Sequence, residues 1–360
     1  MSARSAWFVV RTWLVFRAAL IAVMFFAHDE LPRTIRQQGK GFLHAFTAWD
    51  GRWYHDIVKN GYSYVAGRES NVAFFPAYPF TVRALTAIWP DDFLAGVILS
   101  NALFVPALLL LFAWANRLAG RATAERAVRY ALLFPSTHFF SSFYTESMFL
   151  LAVAGAFYAY ESRRLWLYLP FGFFAGCTRS AGVLVIGVCV VGELVRFWNE
   201  RAQRPRIALT TPVWFAPLLG LGAYMWHLQQ KVGDPLAFLK AQAAWGRHTT
   251  APWTSIANEF RHPLEPYRQF EACAVILMYA LIPLVLKRLP LRYGLFLVAQ
   301  LLLSTTTAMT ASAVRYMAGS AAVYLFLALL GPRTERWLLP VCAVFAAFAA
   351  TCYAGGYWSG

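Results

Sequence analysis

The chain has 360 residues, 59% of them hydrophobic and 14% charged, where a soluble domain carries about 45–50% apolar residues. At about 20 apolar residues per transmembrane helix, this composition can build about ten spans. It excludes a disordered chain, a disulfide scaffold and an ordinary soluble enzyme. The net charge of +15, from 32 Lys and Arg against 17 Asp and Glu, is assigned to cytoplasmic loops and anionic lipid. No basic stretch adjoins a soluble domain, so nucleic acid is not an expected partner.

In chain order, Arg4, Arg11 and Arg17 precede an apolar stretch with no small-x-small cleavage site, which predicts an uncleaved first span over about residues 7–27. Later apolar runs lie at about 93–116, 127–144, 145–160, 165–180, 182–197, 208–228, 271–286, 291–308, 314–330 and 337–354. Several meet at Gly, Pro or polar residues, the pattern of paired or broken helices. Clusters at Arg117–Arg129, Arg163–Arg164, Arg196–Arg206, Lys287–Arg292 and Arg333–Arg336 all fall inside if residues 1–6 are cytoplasmic and 71–90 does not cross. That segment holds Pro76, Pro79 and Arg83, which suits a helix along the membrane surface.

The expected fold is therefore all-α: a polytopic transmembrane helical bundle of about ten or eleven spans, forming one domain over 1–360. Two extracytoplasmic loops are expected, a helical first loop at 28–92 and a second at 229–270. Cys177, Cys189, Cys273, Cys342 and Cys352 sit in or beside apolar runs and read as small core residues.

Chemistry concentrates where the loops are. The run Trp49-Asp50-Gly51-Arg52-Trp53-Tyr54-His55-Asp56 sets aromatics around acids and a base. Glu146, Arg179 and Arg315 stand at turns between apolar runs, and by alternation they share a face with that loop. Ionisable groups at such depth line a cavity or pair with one another. His138 reads as a hydrogen-bonded core residue. No H-E-x-x-H spacing, nucleophile elbow or phosphate-binding glycine loop occurs, so no metal and no cofactor are expected.

The Trp49–Tyr54 run, Gly61-Tyr62 and Asn71-Val72-Ala73-Phe74-Phe75-Pro76-Ala77-Tyr78-Pro79 resemble the PIG-V-like mannosyltransferases. These are bacterial relatives, within the glycosyltransferase C superfamily, of the enzyme that adds the second mannose to GPI anchors. Tyr144-Thr145-Glu146-Ser147, Thr178-Arg179, Gly233-Asp234-Pro235 with Gln242 and Trp245, and Arg315-Tyr316 follow in the family's order. Gly51 stands where the family pattern leads one to expect Ala, and His138 where a smaller or apolar residue is usual.

The resemblance implies a bacterial plasma-membrane transferase with its site on the extracytoplasmic face. It would move mannose, with inversion, from a polyprenyl-phosphate carrier to a lipid, glycan or protein acceptor. The family's acid in the first loop acts as base and maps onto Asp50. A carboxylate can take the proton of an attacking hydroxyl, and guanidinium groups can stabilise a departing phosphate without a metal. Arg179 and Arg315 are the candidates, with Arg247 third. Trp49, Trp53, Tyr54 and Trp245 offer flat faces to sugar rings. Arg52, Phe75, Tyr78, Gln242 and Tyr316 complete the expected substrate-binding set. Glu146 either orients the acceptor or pairs with an Arg. Asp56 rivals Asp50 as base; six residues on, about 120° around a helix, only one of the two should enter the cleft. The competing reading is a lipid-linked-sugar flippase or other multi-span transporter.

Overall fold

Apolar runs make the helices of this chain, and Pro, Gly and Ser end them. The computed structural model describes residues 1–34, 40–261 and 266–358. Eighteen α-helices and no strand occur among the described residues. They are α1 (Ala3–Glu30), α2 (Gly51–Asn60), α3 (Ala77–Thr86), α4 (Asp92–Ala119), α5 (Arg121–Leu133) and α6 (Glu146–Glu161). Then come α7 (Leu165–Thr178), α8 (Val185–Asn199), α9 (Arg204–Thr210), α10 (Ala216–Val232), α11 (Ala237–Lys240) and α12 (Pro252–Phe260). The series closes with α13 (Pro266–Ala280), α14 (Ile282–Arg288), α15 (Leu291–Thr305), α16 (Ala313–Ala318), α17 (Ala321–Leu329) and α18 (Pro332–Ala354).

Among the described residues, five helical segments are long and apolar enough to cross a membrane: Ala3–Glu30, Asp92–Ala119, Ser180–Asn199, Arg201–Val232 and Pro332–Ala354. Tyr267–Ala280 with Ile282–Arg288, bent by 47°, gives a sixth. The expected ten or eleven spans counted apolar runs that the chain in fact breaks. The run at 127–144 is no single helix: α5 stops at Leu133 before Pro135, and a 3-10 turn over Thr137–Ser141 follows. Proline removes a helix donor and disfavours helical geometry in the residue before it. His138 accordingly lies in that turn, fully buried, instead of within a helix. The run at 314–330 divides at Gly319-Ser320. With 14 residues, α7 extends about 21 Å, short of a hydrocarbon core of about 30 Å.

The bundle forms around α6, which packs between α4 and α7 and buries Phe149, Leu150, Val153 and Phe157 completely. Helices α7 and α10 touch backbone to backbone. A Cβ on Gly176 would lie 1.9 Å from the Pro217 carbonyl oxygen, and one on Gly220 would lie 2.0 Å from that of Phe173. Small residues permit this approach, as they do between membrane helices generally.

Helix α6 also separates the two charged ends. Glu146 opens it and Glu161 closes it, with about 22 Å between them at 1.5 Å per residue. Glu161 takes Arg292 at 2.5 Å, and its carbonyl accepts from Arg117. Arg129 meets Glu335 at 2.7 Å, and Arg163 and Arg196 both meet Glu193. The arginine clusters seen in the sequence are thus partly neutralised at the end of α6 remote from Glu146.

Candidate active site

The expected first loop is anchored before it is functional. Arg83 on α3 donates to the carbonyls of Val58 (2.8 Å) and Ile57 (3.0 Å), placing a cation at the C-terminus of α2. Asn71 donates to Asp56 at 2.6 Å and to the Gly61 carbonyl at 2.9 Å. At the other end of α2 the Tyr144 hydroxyl bridges two backbone groups. It donates to the Ala48 carbonyl (2.8 Å) and accepts from the Asp50 N–H (3.1 Å). The bridge spans Trp49, whose φ of 57° is left-handed, a strained conformation for a bulky residue and one found at functional sites.

Asp50 occupies the N-cap position of α2 but makes no capping bond. Its Oδ2 instead lies 2.8 Å from Nη1 of Arg315, with side-chain exposures of 25% and 5%. The two atoms lack hydrogen-bond alignment, so the contact is Coulombic and leaves the carboxylate's lone pairs available. Arg315 is also 3.5 Å from Glu146 Oε1, and Glu146 pairs with Arg179 as well. Arg179 is braced by Thr145 Oγ1 at 2.9 Å, and its Nη1 has no hydrogen-bond partner. One fully buried carboxylate thus supports two guanidiniums, one of which reaches Asp50.

These groups open on a cavity of about 1490 Å³. Asp50, Trp49, Arg52, Trp53, Tyr54 and Asp56 line one side. Phe75, Arg179, Gln242 and Trp245 line others, with Arg247, Arg315 and Tyr316. Two expected members do not reach it. Tyr78 is fully buried, bonded to the Gly96 carbonyl (2.9 Å) and the Ser100 hydroxyl (2.8 Å). Glu146 lies behind the wall, paired with Arg179 and 3.5 Å from Arg315. Asp50 and Asp56 both line the cavity, contrary to the helical-wheel expectation. Asp50 has helical dihedrals and its carbonyl accepts from the Tyr54 N–H at 3.2 Å, so it is the breadth of the cavity that lets both acids line it. Asp56 is nevertheless occupied by the amides of Asn60 (2.7 Å) and Asn71 (2.6 Å).

Aromatic packing shapes the mouth. Trp53 stacks on Phe74 with centroids 6.0 Å apart, and Trp245 meets both rings edge-on. Burial raises the Tyr54 phenol above its ordinary range, so it faces the site as a neutral hydroxyl, 3.4 Å from Thr145 Oγ1.

Several cavity residues were not anticipated: Glu69, His248, Gln300 and Trp358. Gln300 is a lone amide in an apolar helix, the signal that could have found it. Trp358 lies against Trp49 (5.2 Å) and under Arg315 (5.6 Å), and nothing in its local sequence marks it. A third set holds the segment before Arg315. Glu259 accepts from the Thr310 N–H at 2.7 Å, and Glu271 accepts from the Ser312 N–H at 3.0 and 3.1 Å. Arg247 bonds Thr307 Oγ1 (3.1 Å) and the Ala311 carbonyl (3.2 Å), and Asn258 bonds the Ala308 carbonyl (3.1 Å).

Gly51 carries a testable point about the local fold. A Cβ there would meet Tyr144 at 3.4 Å and the Phe143 carbonyl at 3.5 Å, which are ordinary contacts. Gly51→Ala is therefore expected to stabilise the protein by up to about 0.5–1 kcal/mol, the usual cost of glycine in a helix. A lowered thermal midpoint would show that the site needs glycine's smaller volume.

Fold and cavity together define a polytopic, all-helical membrane protein with an acid–guanidinium site at one end of its bundle. Residues 15–230 match the family model described as Mannosyltransferase (PIG-V), and the chain belongs to that family. The crystal structure of the Archaeoglobus fulgidus oligosaccharyltransferase complex with Zn and sulfate is similar to it over 96% of this chain and 53% of that one. The TM-score is 0.49 and the identity 13%. The present chain thus spans about half the length of that protein. No curated protein sequence matches it.

Proposed function

We propose that this chain is a mannosyltransferase that takes mannose from a polyprenyl-phosphate carrier and passes it, with inversion, to a lipid, glycan or protein hydroxyl. The observation that carries this reading is the unaligned Asp50–Arg315 contact at the cavity wall, with Arg179 and Arg247 facing the same space. The acceptor O–H gives its proton to the Asp50 carboxylate as its oxygen bonds to the anomeric carbon. On the opposite face the bond from that carbon to the phosphate oxygen breaks, and the electron pair leaves with the phosphate. Arg179 and Arg247, both on the cavity wall, stabilise the growing charge there. Arg315 holds the Asp50 carboxylate at the cavity wall. Trp53 and Trp245 hold the sugar, and the carrier's apolar tail lies between helices in the bilayer.

The site's position supports an extracytoplasmic face. The arginine clusters gather at the far end of α6, the end the positive-inside rule assigns to the cytoplasm. The membrane is proposed to be a bacterial plasma membrane. The donor is tested with purified protein in nanodiscs containing extracted membrane lipids. Radiolabelled mannose is expected to reach acceptor from polyprenyl-phosphate mannose and not from a nucleotide-diphosphate mannose added in water. Equal transfer from the nucleotide sugar would overturn the lipid-carrier reading.

A further inference from the structure

Beside the main cavity lies a second one of about 300 Å³. Trp49 and Arg52 line both and form the partition between them. The other walls include Lys40, His44, His55 and Phe93, and no Asp or Glu lines this space among the described residues. Phe93 sits between two imidazoles, stacked on His55 at 4.1 Å and 5.2 Å from His44, so this wall is firm. The neighbouring carboxylate, Asp92, is already engaged by His55 at 2.9 Å and Lys59 at 2.8 Å. Lys40 and Arg52 have no ion-pair partner among the described residues. Two cations and two imidazoles thus converge on a small space that adjoins the turn bearing Asp50.

We propose that this cavity receives a phosphate-bearing headgroup of the acceptor, whose nucleophilic hydroxyl reaches past Trp49 to Asp50. The assignment rests on Asp50 being the base. An inverting displacement puts nucleophile and leaving group on opposite faces of the anomeric carbon, so the two substrates approach from different sides. The donor's phosphate has Arg179 and Arg247 in the large cavity, and the small one opens beside the base. Its volume is at the low end for a ligand site, enough for a phosphate with a short polyol and too little for a sugar on a polyprenyl carrier. Lys and Arg donors match phosphate oxygens by charge-assisted hydrogen bonds. The acceptor is accordingly an anionic lipid or glycan, and a neutral hydroxyl compound is a poorer one.

The test measures binding of dioctanoyl phosphatidylglycerol to the full-length protein in neutral maltoside micelles, against phosphate-free dioctanoylglycerol and inorganic phosphate. Lys40→Gln with Arg52→Gln is expected to weaken the phospholipid about tenfold or more, the size of losing charged hydrogen bonds. Lys40→Gln alone, at a side chain that lines only the small cavity, should still weaken the phospholipid and change polyprenyl phosphate binding by less than about twofold. Both side chains are exposed, and an unchanged thermal midpoint verifies the fold. Undiminished phospholipid binding by the double variant overturns the proposal, as does equal binding of dioctanoylglycerol. Inorganic phosphate binding as tightly as the phospholipid assigns the site to the free anion and overturns the acceptor role. Failure of Asp50 as base shows separately, as retained turnover in Asp50→Asn with headgroup binding intact.

Discussion

Asp50→Asn is expected to lower mannosyl turnover by about a hundredfold or more, the range for loss of a general base, with little change in thermal stability. The amide keeps the shape of the side chain and removes its capacity to accept a proton at neutral pH. Little of the fold rests on the carboxylate. It caps no helix, is partly exposed, and meets Arg315 without hydrogen-bond alignment. Arg315 retains Glu146 as a counter-charge. Initial rates with a saturating lipid-linked donor, read beside a melting curve, check both halves. Turnover near the wild-type value would remove Asp50 from the chemistry, and Asp56 would then become the base to test.

Glu146→Gln should do the reverse, acting on the fold as strongly as on the rate. Its carboxylate is fully buried and is the shared counter-charge of Arg179, 12% exposed, and Arg315, 5% exposed. Removing one partner of a buried ion pair costs about 3–5 kcal/mol, because the remaining charge stays desolvated. A markedly lower thermal midpoint is the expected result, together with reduced turnover from a displaced Arg179. Adding Arg179→Gln separates this from general core damage. With one orphaned guanidinium gone, the double variant should melt higher than Glu146→Gln alone. A double variant that melts lower would mean that packing, not charge, makes Glu146 necessary.

Local signals made much of this protein legible. Hydropathy located the long spans because composition alone decides whether twenty residues prefer lipid, and α1, α4 and α18 follow their apolar runs closely. Ionisable residues at the turns were conspicuous because burying charge is costly, and Asp50, Arg179 and Arg315 share one cavity with Glu146 behind its wall. The break at Pro135 was misjudged because apolar character continues through it, although the backbone cannot remain helical. Tyr78 stood in a motif-like run, yet its hydroxyl is spent on Gly96 and Ser100, a choice made by packing with α4. Glu259 and Glu271 escaped notice because their partners are backbone N–H groups 51 and 41 residues away. Side-chain spacing carries no record of such a pairing.

The grip on residues 307–312 fixes the approach to Arg315. Glu259 and Asn258 on α12, Glu271 on α13 and Arg247 all hold this stretch, which leads into Arg315. This stretch is therefore fixed from several elements at once, and any change in Asn258, Glu259 or Glu271 is carried a few residues along the chain to Arg315 and its contact with Asp50.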